Sequence, residues 1–145
     1  MMQHTLEERV RVLEDTVAAL VAGRAGFDLA VGEELHRVAS LPENWDSEGA
    51  RAIDPGIIAA AREFVLRLPG RLKSVIPVPT VVPMRKGNLQ FEWHNGPRTL
   101  ELEIEDPRTI HYLKWHAAAG IEEEDICSMF DTDTMIELLE WFTKG

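Results

Sequence analysis

The side chains of this sequence best suited to metal binding, nucleophilic attack or proton transfer are five histidines, one cysteine and an excess of carboxylates. The histidines are His4, His36, His94, His111 and His116. None stands in an HExxH or HxH pair, which would set two ring nitrogens on one side of an element. Glu92 and His94 alternate in one extended segment and His116 ends another, so these three are a set that could approach one another as ligands. Histidines at the exposed end of a sheet need no metal, and no metal is assigned. Cys127 has no neighbouring Cys or His and reads as a small apolar side chain. As the only cysteine it excludes an internal disulfide, which suits a reducing compartment. There is no Gly-rich phosphate loop, no GxSxG and no DxDxDG. No catalytic residue and no cofactor are therefore assigned, and acid–base chemistry from scattered carboxylates is the route left to an enzyme.

The carboxylates carry a different message. Asp and Glu number 25 against 15 Lys and Arg, a formal net charge of −10. Direct nucleic-acid binding needs a basic footprint and is not expected. Leu89, Phe91 and Trp93 alternate with Gln90, Glu92 and His94; Leu100, Leu102 and Ile104 alternate with Glu101, Glu103 and Glu105. Asn95-Gly96 between them reads as a two-residue type I′ turn. That turn sets Phe91 opposite Leu100 and Leu89 opposite Leu102, with all the apolar residues on one face. Glu92, Glu101, Glu103 and Glu105 then share the other. Cross-strand like charges are destabilising, so this face is read as a surface for a basic protein partner, against the plain alternative of a solvated sheet face.

Asn44-Trp45-Asp46, followed by Gly49-Ala50, is the most distinctive short segment. Asn and Asp close turns on their own backbone, and Trp45 can anchor a loop; Asn44 and Asp46 are also candidate partner contacts. With Leu-Pro-x-Asn-Trp-Asp-x-x-Gly-Ala at Leu41–Ala50 and an apolar-Gln-apolar-Glu-Trp strand at Leu89–Trp93, the chain resembles a group of small bacterial proteins. The resemblance spans Leu41 to Trp115 and brings no activity, cofactor or site residue with it.

The elements that position these groups can be read from periodicity. Residues 5 to 22 predict a helix opened by a Thr5–Glu8 capping box. Leu6, Val10, Leu13, Val17 and Leu20 form an a/d seam of the kind that builds parallel two-stranded coiled coils, so a homo-oligomer is expected. Gly23 and Gly26 interrupt it, and a second helix follows over 28–40. Asp54 caps a third helix with Pro55 at its first position and Ile57, Ala61, Phe64, Val65 and Leu68 on its buried face. Val75 to Val82, with Pro77 and Pro79, is an edge strand or extended segment. After the hairpin, Asp106 to Thr109 turns the chain into a strand from Thr109 to His116. Pairing Leu102 with Leu113 sets Lys114 opposite Glu101 and Trp115 near Leu100; a slip of one residue would turn Lys114 to the core. Glu122 to Asp125 is a solvated acidic run. A last helix over 133–143 begins at a Thr134–Glu137 capping box and buries Met135, Leu138, Leu139 and Phe142. The four tryptophans are assigned to the core, with Arg98 over Trp93.

The fold class expected is α+β: a three- to four-stranded antiparallel meander packed by helices on the face carrying Phe91, Trp93, Leu102 and Trp115. Residues 1–24 form an oligomerisation-type helix and 25–145 one domain. No apolar stretch spans a bilayer and the N-terminus lacks a signal-peptide h-region, so a cytoplasmic protein without membrane association is expected. The function expected is a non-catalytic interaction module, self-associating through its first helix and offering an acidic face to a protein partner, as in inhibitor, immunity or antitoxin-like roles. The alternative is a small enzyme or ligand binder with a pocket between the Asn44–Gly49 loop and the sheet.

Overall fold

The computed structural model describes residues 5–144, with side chains outside 16–22 and 24. His4 and the side chains of Val17 and Leu20 therefore lie outside the described residues. The Thr5–Glu8 box is present: Thr5 N donates to Glu8 Oε2 at 2.9 Å and Glu8 N to Thr5 Oγ1 at 3.2 Å. The helix it starts does not stop at Gly23. Helix α1 runs unbroken from Leu6 to Ala39, so the expected break is corrected and residue 24 sits within one continuous helix. Two glycines cost about 1 kcal/mol each. Burying Phe27, Val31, Leu35 and Val38 gains about 1.5–3 kcal/mol per side chain, which offsets that.

Helix α2 (Pro55–Arg67) begins as expected, with Asp54 Oδ1 accepting from Gly56 N at 2.7 Å. Its buried face is Ile57, Ile58, Ala61, Phe64 and Val65. One turn, α3 (Gly70–Lys73), follows. Lys73 is wholly buried there, and its Nζ lies 2.8 Å from Asp28 Oδ1 of α1.

The sheet has five antiparallel strands in sequence order: β1 (Thr80–Pro83), β2 (Leu89–Asn95), β3 (Arg98–Asp106), β4 (Thr109–His116) and β5 (Ile121–Ser128). The proline-containing segment contributes β1 at one edge. The other edge, β5, is the segment taken from sequence as a solvated acidic run. Nearly all of β5 is exposed, so it shows no apolar alternation although its backbone pairs with β4 throughout. Charged side chains are what an edge strand needs to discourage pairing with another chain.

Two registers differ from expectation. Asn95 pairs with Arg98, so Phe91 faces Leu102 and Leu89 faces Ile104. The turn residues are Gly96 and Pro97. A turn at Asn95-Gly96 would require Pro97 to donate a hydrogen bond to His94, and proline has no N–H. Gly96, at φ 56°, followed by proline has the sign pattern of a type II′ turn. This shift is by two residues and leaves every side chain on its expected face.

The second shift is by one residue and reverses a face. Asp106 pairs with Thr109, as the turn predicts, but Ile104 pairs with Ile110: β3 takes two steps while β4 takes one. Glu105 is the extra residue of a β-bulge. Beyond it Leu102 faces Tyr112, and Leu100 faces Lys114. Lys114 is therefore on the same face as Phe91, not opposite Glu101, and Trp115 is on the outer face, 43% exposed. Without the bulge His111 would sit at the sheet centre, where an unpartnered ring nitrogen costs about 1–3 kcal/mol. With it, Ile110 and Tyr112 are buried. Lys114 tolerates its position because it lies near the end of β4. Its Nζ is 3.2 Å from Glu123 Oε2 and 5.0 Å over the Trp141 ring.

Helix α4 (Thr132–Thr143) buries Met135, Leu138, Leu139 and Phe142 as expected. Its cap is Asp131, which accepts from Thr134 N at 3.1 Å and from Thr134 Oγ1 at 2.7 Å, rather than a Thr134–Glu137 box. Arg98 stacks on Trp141 at 5.1 Å instead of Trp93 and donates to the Trp141 carbonyl. Trp93 is buried, its indole donating to Pro77 O at 2.8 Å. α2 and α4 pack on β3 and α1 on β1, on one face of the sheet. Among the described residues no helix is long and apolar enough to cross a membrane.

The Lys73–Asp28 pair generates a prediction. Asp28→Ala strands a wholly buried ammonium and should cost about 3 kcal/mol, whereas Lys73→Met leaves a carboxylate that is 30% exposed and should cost less. Urea unfolding midpoints of the two variants check this; equal losses would contradict it.

Candidate functional site

The helices leave one face of the sheet bare, and the registers decide what stands on it. Three rows cross the strands outward: Thr80, Glu92, Glu101, Leu113, Glu124; Val82, Gln90, Glu103, His111, Ile126; and His94, Thr99, Trp115, Glu122. No Lys or Arg occupies an outward position on any of the five strands. Glu92, Glu101 and Glu103 are thus brought together as expected, with Glu105 beside them at the bulge. Lys114, expected to relieve Glu101, is on the other face. Burial, reinforced by the neighbouring carboxylates of Glu92 and Glu103 and only partly offset by His94, pushes the Glu101 carboxyl above its usual range. Trp115 and Ile126, 58% exposed, lie at the β4–β5 side of the acidic patch.

The set Glu92, His94, His116 is not assembled. His94 Nε2 is 3.8 Å from Glu92 Oε2. His116 belongs to the inward series of β4, opposite Arg98, and its Nδ1 accepts from Ala119 N at 3.0 Å. The histidine that meets several carboxylates is His111, which the expected register would have turned inward. Its Nε2 is 2.5 Å from Glu124 Oε1, and its Nδ1 is 3.7 Å from Glu103 Oε1 and 3.9 Å from Glu105 Oε1. Glu103, Glu105 and His111 each offer a donor atom within 4.8 Å of the others, the one such grouping among the described residues. Sequence spacing alone carries no sign of it, since the three residues belong to two strands joined through a bulge.

The same corner borders a cleft of about 480 Å³ lined by the start of α2 (Asp54, Ile57), the β1–β2 turn (Lys86–Asn88) and β3 to Pro107. No residue of the Asn44–Gly49 loop lines it. That loop uses its polar groups internally. Asn44 Oδ1 accepts from Gly49 N at 2.6 Å, and Asp46 Oδ1 accepts from Glu48 N at 2.9 Å and Ala50 N at 3.0 Å. Asn44, Ser47 and Gly49 all have positive φ, at 62°, 62° and 89°. Trp45 Nε1 donates to Arg51 O at 2.9 Å, and Arg85 Nε donates to Asp46 Oδ2 at 2.8 Å. Burial opposes the Asp46 charge, but the two backbone donors and Arg85 outweigh it and hold the carboxyl below its usual range. The loop thus ties the end of α1 to the β1–β2 turn.

Cys127 is half-buried on β5, and burial together with Asp131 and Asp125 pushes its thiol up to about 11. A thiol so protonated at neutral pH is a poor nucleophile. Tyr112 donates to Glu123 Oε1 at 3.1 Å; burial and that acceptor push its hydroxyl up to about 12, so it stays a donor. Comparison with protein-family models, with curated proteins and with solved structures finds no match to this chain.

Because the folded state raises the Glu101 carboxyl, its contribution to stability is present below the ordinary glutamate range and is lost as pH rises through the folded value. Glu101→Gln should therefore stabilise the protein at pH 7 by about 0.5 kcal/mol, the size of one relieved cross-strand repulsion. The gain should shrink to nothing below about pH 4. Thermal melts of both proteins from pH 3 to 8 check the sign and the window.

Proposed function

We propose that the chain is a non-catalytic interaction module that engages a basic protein through the outer face of its sheet and self-associates through the first half of α1. The observation that carries the first part is the bare five-stranded face, with Glu92, Glu101, Glu103, Glu122 and Glu124 outward and no Lys or Arg among them. A sheet selected for stability alone gains by mixing signs across strands. Trp115 and Ile126 beside the carboxylates supply the desolvated anchor that protein interfaces use, within a charged surround.

Support for the second part lies in α1. A helix of 34 residues is about 51 Å long. Among the described residues its buried stripe begins at Phe27, while Leu6, Val10 and Leu13 are 77%, 44% and 64% exposed. An apolar seam at heptad spacing on a projecting helix is suited to pairing with its own copy.

Light scattering on the full chain at about 50 µM should give a dimer or larger assembly, and Leu6→Asp with Leu13→Asp should return it to monomer. A monomeric wild type at that concentration overturns the self-association. For the face, a partner recovered from the native host should associate with Glu92→Lys/Glu101→Lys on the order of tenfold more slowly at low salt, with dissociation nearly unchanged. Equal association rates would mean that the acidic face is only solvated.

A further inference from the structure

The corner where the bulge meets β4 holds three ligand-type atoms, of Glu103, Glu105 and His111, within 4.8 Å of one another. Glu124 is a carboxylate and can only accept, so the 2.5 Å contact with His111 Nε2 places a proton on that nitrogen. In the neutral ring the other nitrogen, Nδ1, presents its lone pair. It faces Glu103 Oε1 at 3.7 Å and Glu105 Oε1 at 3.9 Å, beyond hydrogen-bonding distance from either. Either a second proton on the imidazole or a cation between the three atoms offsets the carboxylate charge gathered here.

A second, independent feature lies in the cleft beside it. Asn88 is 6% exposed and lines the same cleft as Glu103 and Glu105. Its Nδ2 donates to Glu103 Oε2 at 2.8 Å, while its Oδ1, on the same carboxamide, is buried without a hydrogen-bond partner. A buried amide oxygen left unpaired costs about 1–3 kcal/mol, and an amide flip would only turn that oxygen onto the Glu103 carboxylate. A water or a cation held in the cleft that Asn88 lines would satisfy the atom.

We propose that Glu103, Glu105 and His111 bind a divalent transition-metal cation of the Zn²⁺ type, with Asn88 and Glu124 orienting the ligands. Two ligands on a tetrahedral zinc ion lie about 3.4 Å apart. Closing from 3.7 and 3.9 Å needs only a small movement of two partly exposed glutamates. The supporting contacts are those metal sites use. Glu124 fixes the histidine tautomer so that Nδ1 is the ligand, and Asn88 holds one oxygen of Glu103 so that the other faces the metal. Imidazole with carboxylates suits zinc and its first-row neighbours, whereas Mg²⁺ and Ca²⁺ prefer an all-oxygen set. Three protein ligands leave a fourth position for water or for a side chain of another molecule. Neither Glu92 nor Glu101 is a ligand of this site, so the charge-reversal test above can fail while this one succeeds, and the reverse.

The test is calorimetric titration of the metal-stripped full chain with ZnCl₂, alongside imidazole ¹⁵N spectra. One equivalent should bind with Kd on the order of 1 µM, raise Tm, and shift His111 Nδ1 while Nε2 stays protonated. Glu105→Gln, at the exposed bulge and clear of the packed core, should weaken binding at least about tenfold, as should His111→Gln. His94→Ala and Cys127→Ser should bind as wild type does, and MgCl₂ should not compete. No heat at about 100 µM Zn²⁺, or affinity unchanged in Glu105→Gln and lost in His94→Ala or Cys127→Ser, would overturn the proposal.

Discussion

The single extra residue at Glu105 is the constraint on which the arrangement of this sheet depends. Side chains alternate with period two, so one inserted residue exchanges the two faces of everything beyond it. The Asp106–Thr109 turn by itself would send His111, Leu113 and Trp115 against the helices. The bulge sends Ile110 and Tyr112 there instead and carries His111 out beside Glu103. The benefit is local and physical: the centre of the sheet receives an aliphatic side chain that packs in place of an imidazole that would lack a partner. The cost is also visible, since Lys114 is carried to the inner face. It is met at the end of the strand by Glu123 and by the face of Trp141.

Charge is sorted by the same event. Arg98 and Lys114, the cations of the central strands, both belong to the inner series and converge on Trp141. The outer face is left with carboxylates and two histidines. A one-sided antiparallel sheet commonly shows polar residues to solvent, but the segregation of sign here follows from register and not from composition alone. It is why Glu101 sits among like charges, and why the corner at Glu103 has both the electron density and the neighbouring amide to hold a cation.

Helix α1 reaches from the core of this domain to the exposed residues Leu6, Val10 and Leu13. From Phe27 onward it is part of the core, and the buried Lys73–Asp28 pair and the α3 turn fix its approach. Toward its N-terminus the apolar residues Leu6, Val10 and Leu13 face solvent on the same rod. Since the helix is continuous, a partner engaging that end would be held at a defined distance and direction from the sheet.

Much of this was legible in the sequence, and the reason is locality. Caps such as Thr5–Glu8 and Asp54, the proline at the start of α2, the stripe of Met135, Leu138, Leu139 and Phe142, and the alternation of β2 and β3 are all set by residues within a turn or two of each other. The α+β class and the gathering of Glu92, Glu101 and Glu103 followed from those patterns. Tertiary structure decided what depends on distant partners. The glycines of α1 stayed helical because burial against the rest of the domain outweighs a weak propensity. β5 formed because β4 offered it hydrogen bonds, although its own charges carry no strand pattern. The Asn-Gly signal was displaced by Pro97, whose missing N–H matters only once its cross-strand neighbour is known. The face of β4, and with it the meeting of His111 with Glu103 and Glu105, was settled by a choice between two burial patterns differing by one residue, a comparison that exists only when the helices and the sheet are packed together.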